Sequence, residues 1–278
     1  MMPSRSSTVW AGLTLEQPRV MGILNVTPDS FSDGGSRTGV DAAVAAGLAM
    51  AEAGADIVDV GGESTRPGAE VVSPETEQAR VLPVIRALAS AGLCLSVDTR
   101  NAATMRAALE AGAAIINDVS GLAYDSLSLG VAAGYGCPVV LMHMRGTPAT
   151  MNAEAVYRDV VADVRTELMS RVDAALAAGI RPDRIAIDPG LGFAKDVPQS
   201  AAVLRGLGSL ADLGYPVLVG LSRKRFIGAL SEEARPGQRL GGSLAAGLFA
   251  ILRGASILRV HDVRETVQAI RVWRGLFE

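Results

Sequence analysis

Residues 21–35 read MGILNVTPDSFSDGG. The run is apolar up to Leu24 and stops at Asn25. Pro28, three hydroxyls, two carboxylates and the pair Gly34-Gly35 follow within ten positions. A short strand therefore delivers one polar side chain and gives way to a long loop. In parallel α/β folds ligands are met at the carboxyl ends of strands, so Asn25 and the loop behind it are the first place to seek chemistry. A lone strand closed by an asparagine turn would account for this stretch in isolation. Repetition of the plan along the chain overrules that reading.

Residues 40–53 read as an alanine-rich amphipathic helix stopped by Gly54, and DIVDVGGESTRPGAE, residues 56–70, as a buried strand entering a second Gly/Pro loop. Ser73 and Pro74 offer an N-cap and a first-turn proline for a helix to about Ala91. LCLSVDTR is a strand ending at Asp98, and residues 101–111 are a helix closed by Gly112. AIINDVSG ends near Asn117 and Asp118. A short helix over about residues 125–133 leads to PVVLMHM, a strand ending at Met142 and His143. After the loop RGTPATMNA, a long helix spans residues 156–178. RIAIDPGLGFAK ends its strand at Asp188, residues 198–213 are helical, and PVLVGLSRK ends its strand near Ser222. A broken helical region, its second half opened by Gly241-Gly242-Ser243, runs to about Leu252. SILRVHD is the eighth strand, and Asp262 with Glu265 makes a capping box for the C-terminal helix.

Eight buried strands alternating with helices predict parallel pairing throughout, and so an α/β fold of the (β/α)8 TIM barrel type. The barrel is expected to be a single domain over residues 1–278, with residues 1–19 as an N-terminal leader or hairpin and two long mobile loops after strands 1 and 2. A doubly wound sheet would want GxGxxG after its first strand, and none is there.

The 278 residues are 49% hydrophobic with 31 glycines, a globular composition with enough chain for a substantial core. A net charge of −3 and the lack of a Lys/Arg run argue against nucleic acid as a partner. No stretch is long and apolar enough for a signal peptide or a membrane span, which predicts a cytoplasmic protein. Cys94 and Cys137 stand alone in apolar surroundings and read as reduced thiols. Of 26 basic residues only Lys195 and Lys224 are lysine, and both follow strand ends, as do the two histidines, His143 and His261.

The strand exits collect Asn25, Glu63 with Thr65 and Arg66, Asp98, Asn117, His143, Asp188, Ser222 with Arg223 and Lys224, then Arg259 and His261. Any one of these could be a helix cap; so many at one rim are harder to explain that way. Asp98, Asn117, Asp188 and Lys224 mix donors and acceptors suited to a flat heterocycle with an amide-like edge. Arg66, Arg259 and His261, with the Asn25 oxygen, suit a phosphate-type group and its divalent cation. A planar, nitrogen-rich ligand with a phosphorylated arm follows.

The segments NVTPDSFSDGG, DVGGESTRPGA, SVDTR, NDVSG, LMHMRGTPATM, DPGLGFAK, SRKRFIG and RVHDV resemble, in order and over residues 21–263, those of the dihydropteroate synthase family, the folate-pathway pterin-binding enzymes that sulfonamides target. The resemblance implies a transferase that joins 6-hydroxymethyl-7,8-dihydropterin pyrophosphate to para-aminobenzoate with Mg2+, releasing pyrophosphate by a dissociative path, and acting as a homodimer. By motif, Asn25 and Asp33 would be at the metal. Asp98, Asn117, Asp188 and Lys224 would hold the pterin, and Arg259 would lie on its ring and reach the phosphates beside His261. Thr65, Arg66 and Pro67, with Phe31, Phe193, Ser222 and Lys224, would shape the aminobenzoate site, and Met142 would pack beside the pocket. The catalytic group would be Asp98, Lys224, Arg259 and His261.

The helix starting after Ser222 is expected to offer N–H groups to the aminobenzoate carboxylate. His143 reads as a packing residue, Glu63 as a brace for the second loop and Lys195 as a solvated loop charge. Ala194 and Arg225 depart from the glycine and serine common at those places in the family. Two other readings stay open at this point: a pterin-dependent corrinoid methyltransferase, and a non-catalytic pterin-binding homologue.

Overall fold

The computed structural model describes residues 9–27, 37–64 and 71–276. A hairpin of β1 (Val9–Trp10) and β2 (Leu13–Thr14) comes first. The alternation then runs β3 (Arg19–Asn25), α1 (Arg37–Glu52), β4 (Ile57–Gly61), α2 (Pro74–Ser90), β5 (Leu95–Asp98), α3 (Ala102–Glu110), β6 (Ile115–Asp118), α4 (Ser128–Tyr135) and β7 (Val139–Met142). It continues with α5 (Val160–Ala177), β8 (Ile185–Asp188), α6 (Val197–Arg205), α7 (Gly208–Ala211), β9 (Leu218–Gly220), α8 (Arg225–Leu230), α9 (Leu240–Leu252), β10 (Ile257–Val260) and α10 (Val263–Gly275).

Strands β3 to β10 pair in parallel in the order 8-7-6-5-4-3-10-9. A parallel bridge between Ile187 and Val217, with the Ile187 N–H donating to the Pro216 carbonyl at 2.9 Å, joins the two ends. The ring is closed, and the expected TIM barrel is the observed fold.

Successive strand residues face opposite ways, so each strand serves two layers. Outward residues such as Leu24, Val58, Val97, Leu141 and Ile187 belong to one apolar layer shared with the surrounding helices. Inward residues Met21, Ile57, Ile115, Val140, Ala186, Leu218 and Ile257 fill the lower barrel, and Trp10 and Leu15 from the hairpin segment join that cluster. Trp10 is 1% exposed, and its indole N–H finds the Arg184 carbonyl at 3.0 Å. Two residues further along, the inward positions turn polar: Asp59 follows Ile57, Asn117 follows Ile115, Asp188 follows Ala186 and Arg259 follows Ile257. An apolar floor thus supports a polar mouth at the carboxyl ends of the strands.

Local signals mostly hold. Ser73 accepts the Thr76 N–H at 3.3 Å and Pro74 opens α2. Helix α5 begins at Val160 rather than 156, because the Asp159 carboxylate caps it by accepting from Val161 and Ala162 at 3.0 and 3.1 Å. The helix expected over 198–213 is split into α6 and α7. The capping box at Asp262 does not form: its carboxylate takes the Arg223 guanidinium instead, with Nε at 3.0 Å. A charge-assisted fork outcompetes a backbone N–H for the same oxygens. Cys94 is half-buried and Cys137 buried, both as free thiols. Among the described residues no helix is long and apolar enough to cross a membrane.

Candidate active site

The polar mouth is built around Arg259, the upper inward residue of β10. Its Nε donates to Asp59 Oδ2 and its Nη2 to Asp98 Oδ2, both at 2.6 Å. Asn117 donates from Nδ2 to the same Asp59 oxygen at 2.9 Å. Four side chains from β4, β5, β6 and β10 are thereby locked into one constellation. Asp59 is fully buried, and its second oxygen, Oδ1, has no hydrogen-bond partner, a costly arrangement for a carboxylate.

Burial sets the electrostatics. It pushes the Asp98 carboxyl above its ordinary range, while the adjacent Arg259 pulls the other way. Burial works against the charge on Arg259 too, but Asp59 and Asp98 outweigh it and hold the guanidinium firmly protonated. Asp188, at the end of β8, is raised by burial and opposed chiefly by Lys224. Lys224 is pushed down to about 8 by burial, against the pull of Asp188 and Asp98. These mutual influences place Asp98, Asp188, Lys224 and Arg259 within electrostatic reach across the mouth.

Lys224 closes the far side. Its ammonium lies 4.4 Å above the Phe193 ring and donates to the Leu191 carbonyl, so the DPGLGF loop after β8 carries it. That loop turns at once because Asp188 Oδ1 accepts the Gly190 N–H at 2.7 Å. Gly190 has a positive φ of 63°, and a Cβ there would lie 2.0 Å from the His143 carbonyl oxygen, so only glycine fits. Met142 packs with Phe193, Ala194, Met144, Met151 and Val119 beside this loop. The non-glycine Ala194 is accommodated at a positive φ of 47°. On the next side of the ring, the Ser222 hydroxyl lies 3.1 Å from His261 Nδ1 and accepts the His261 N–H at 3.3 Å.

Asn25 ends β3 level with Gly61. Asp33 and Phe31 of the first loop, and Thr65, Arg66 and Pro67 of the second, lie outside the described residues. Glu63 pairs with Arg100 and accepts the Val72 N–H at 3.2 Å, so it ties the chain on either side of the second loop rather than facing the mouth. Arg223 turns away to Asp262, and Lys224 is the residue that precedes the short α8.

Among the described residues no three His, Cys, Asp or Glu side chains group closely enough to hold a metal ion. A magnesium ion bound mainly through phosphate oxygens and water asks only one or two protein oxygens. The Asn25 side-chain carbonyl, at the end of β3, is a donor of that kind.

Residues 21–261 match the family of pterin binding enzymes. The dihydropteroate synthase of Escherichia coli is 46% identical over 261 residues, covering 94% of this chain and 92% of that one. The chain belongs to the dihydropteroate synthase family. Among solved structures of that family, a Xanthomonas albilineans dihydropteroate synthase with 4-aminobenzoic acid superposes with a TM-score of 0.90 at 53% identity, covering 96% of both chains. The Xanthomonas albilineans enzyme in complex with 7,8-dihydropteroate superposes at 0.86 with 50% identity, covering 95% of both.

Two residues escape a reading of strand ends in this family member. Asp59 sits below the exit of β4, and its signal is a carboxylate between Val58 and Val60 in a strand that is otherwise apolar. Lys195 corrects the expectation of a solvated loop charge. It is 7% exposed, and its ammonium meets His143 Nδ1 at 2.8 Å, the Phe193 carbonyl at 3.0 Å and the Gly190 carbonyl at 3.1 Å. His143 is fully buried, with Nε2 3.0 Å from Glu167 Oε2.

Proposed function

We propose that the chain condenses 6-hydroxymethyl-7,8-dihydropterin pyrophosphate with para-aminobenzoate to give 7,8-dihydropteroate and pyrophosphate. The observation that carries the reading is the buried cluster of Arg259, Asp59, Asp98 and Asn117 facing Asp188 and Lys224. It offers carboxylate acceptors, an amide and two cations to one flat ligand edge, which matches the alternating N–H donors and ring acceptors of a pterin.

Asp98, Asn117, Asp188 and Lys224 hold the ring, and Arg259 spans from the ring toward the phosphates, joined there by His261. Loss of pyrophosphate from the exocyclic methylene leaves positive charge that the pterin ring delocalises. Asp98 and Asp188 stabilise that charge from fixed positions in a site shielded from water. Arg259 and His261, with Arg66, offset the negative charge that grows on the leaving group. Asn25, with Asp33, would hold Mg2+, which would supply further charge compensation to the phosphates. The neutral arylamine is already nucleophilic, so no base is assigned. Phe193, Ser222 and Lys224, with Phe31 and residues 65–67, shape the aminobenzoate side, where a sulfonamide competes.

The protein works as a cytoplasmic homodimer in this reading of its function. Leu252 at the end of α9, Val272 of α10 and Leu276 just beyond it are exposed apolar side chains of the kind a second copy covers. The test is direct: pure protein, Mg2+, dihydropterin pyrophosphate and para-aminobenzoate are mixed and dihydropteroate is assayed. Its appearance with stoichiometric pyrophosphate is expected. Pterin binding without turnover, or methyl transfer to a corrinoid, would overturn the reading.

A further inference from the structure

We infer that Lys195 is a positioning residue: through His143 and two loop carbonyls it fixes the 190–193 loop, and so sets where Lys224 presents its ammonium to the ligand. The inference rests on the functional reading above.

The geometry runs in two steps. Lys195 uses all three ammonium donors on fixed acceptors, His143 Nδ1 and the carbonyls of Gly190 and Phe193. These bracket Leu191, whose carbonyl takes the Lys224 ammonium, and include Phe193, whose ring lies under it. Both contacts that place Lys224 thus belong to a four-residue loop pinned at two points by the other lysine. His143 is held in turn. Because Nδ1 accepts from Lys195, Nε2 carries the proton and donates to Glu167 at 3.0 Å. Glu167, from α5, is anchored by Arg145.

The charged and titratable groups around Lys195 and His143 are Asp188 from β8, Lys224 before α8, Glu167 and Arg171 from α5, and Arg145 from the loop after β7, with His143 itself just past the end of β7. Burial pushes Lys195 down to about 7, against the pull of Asp188 and Glu167.

The chain has only two lysines, which makes the inference measurable without turnover. The rate at which trinitrobenzenesulfonate labels Lys224, followed by peptide mass spectrometry across pH, reports how that ammonium is held. In Lys195→Met the labelling midpoint is expected to rise by a unit or more from about 8, and KM for dihydropterin pyrophosphate to rise about tenfold while kcat falls less. His143→Leu, which removes the acceptor, is expected to behave alike. His143→Asn, which restores an acceptor near Nδ1, is expected to return both values toward the starting protein.

An unchanged midpoint and KM in either soluble variant, Lys195→Met or His143→Leu, would overturn the inference. So would failure of both to fold, which would give the pair a purely structural role. If the starting protein forms no dihydropteroate, the functional reading fails, while the labelling midpoints still decide how Lys224 is held.

Discussion

Arg259 donates from Nη2 to Asp98 Oδ2 at 2.6 Å although 161 positions separate them in the chain. Only the closure of the barrel brings β10 and β5 to face each other, so this contact expresses the fold and builds the site at once. Arg259 also holds Asp59, and the guanidinium is fixed in orientation before any ligand arrives. A preorganised charge of this kind is not reoriented during reaction.

Asp59 is the hidden support of that arrangement. Replacing it in Asp59→Asn keeps the shape but removes a fully buried negative charge beside Arg259, and is expected to cost about 2 to 4 kcal/mol of stability. Urea unfolding measures it. A loss under about half a kcal/mol would show that Asp98 alone can satisfy Arg259.

The hairpin below the barrel contributes stability and no chemistry. Trp10→Ala is expected to lose about 3 to 5 kcal/mol through the cavity left among Met21, Ile57 and Ala186, with pterin affinity of the folded protein unchanged. Thermal or urea unfolding beside calorimetric titration separates the two. A loss under about 1 kcal/mol would mean that the plug is dispensable.

His143 makes the fold sensitive to acid. Burial holds its imidazole well below the ordinary 6.5, so it stays neutral in the fold while the unfolded chain takes up a proton. The stability this provides is present above pH 6.5 and is lost as pH falls toward the folded value. Between pH 7 and 5 the unfolded state gains about 2 kcal/mol from that proton, so His143→Gln should lose less stability over the interval than the starting protein. Equal slopes in urea titrations at the two pH values would contradict this.

Lys224 is expected to make pterin affinity fall with alkaline pH. Its charge, present below about 8, is lost as pH rises through that value, and with it a cationic donor to the ligand. Affinity measured from pH 7 to 9 should decline in the starting protein and stay flat in Lys224→Met. Parallel declines in both would assign the titration to another group.

The sequence showed Asp98 and Asp188 plainly, since each ends an apolar strand, and Asn117 and Arg259 nearly as plainly, since each stands one residue before its strand end. The barrel was legible for the same reason, as the alternation of buried strands with helices recurs eight times. Asp59 was harder to see because it lies two residues inside its strand, where an exit-based reading does not look. Lys195 was misread because its partner His143 is 52 positions away and no local pattern announces it. Its rarity as a lysine among arginines was the available sign. The Asp262 capping box failed through a tertiary competitor, Arg223, which a local motif cannot foresee.

Above all, the site as described requires the carboxyl ends of β5 and β9 to meet over one pterin. Calorimetric titration of a dihydropterin into the starting protein, Asp98→Ala and Lys224→Ala tests it most directly. Each variant is expected to bind at least about tenfold more weakly, a loss of about 1.4 kcal/mol or more, while remaining folded. Undiminished affinity in both folded variants would contradict it.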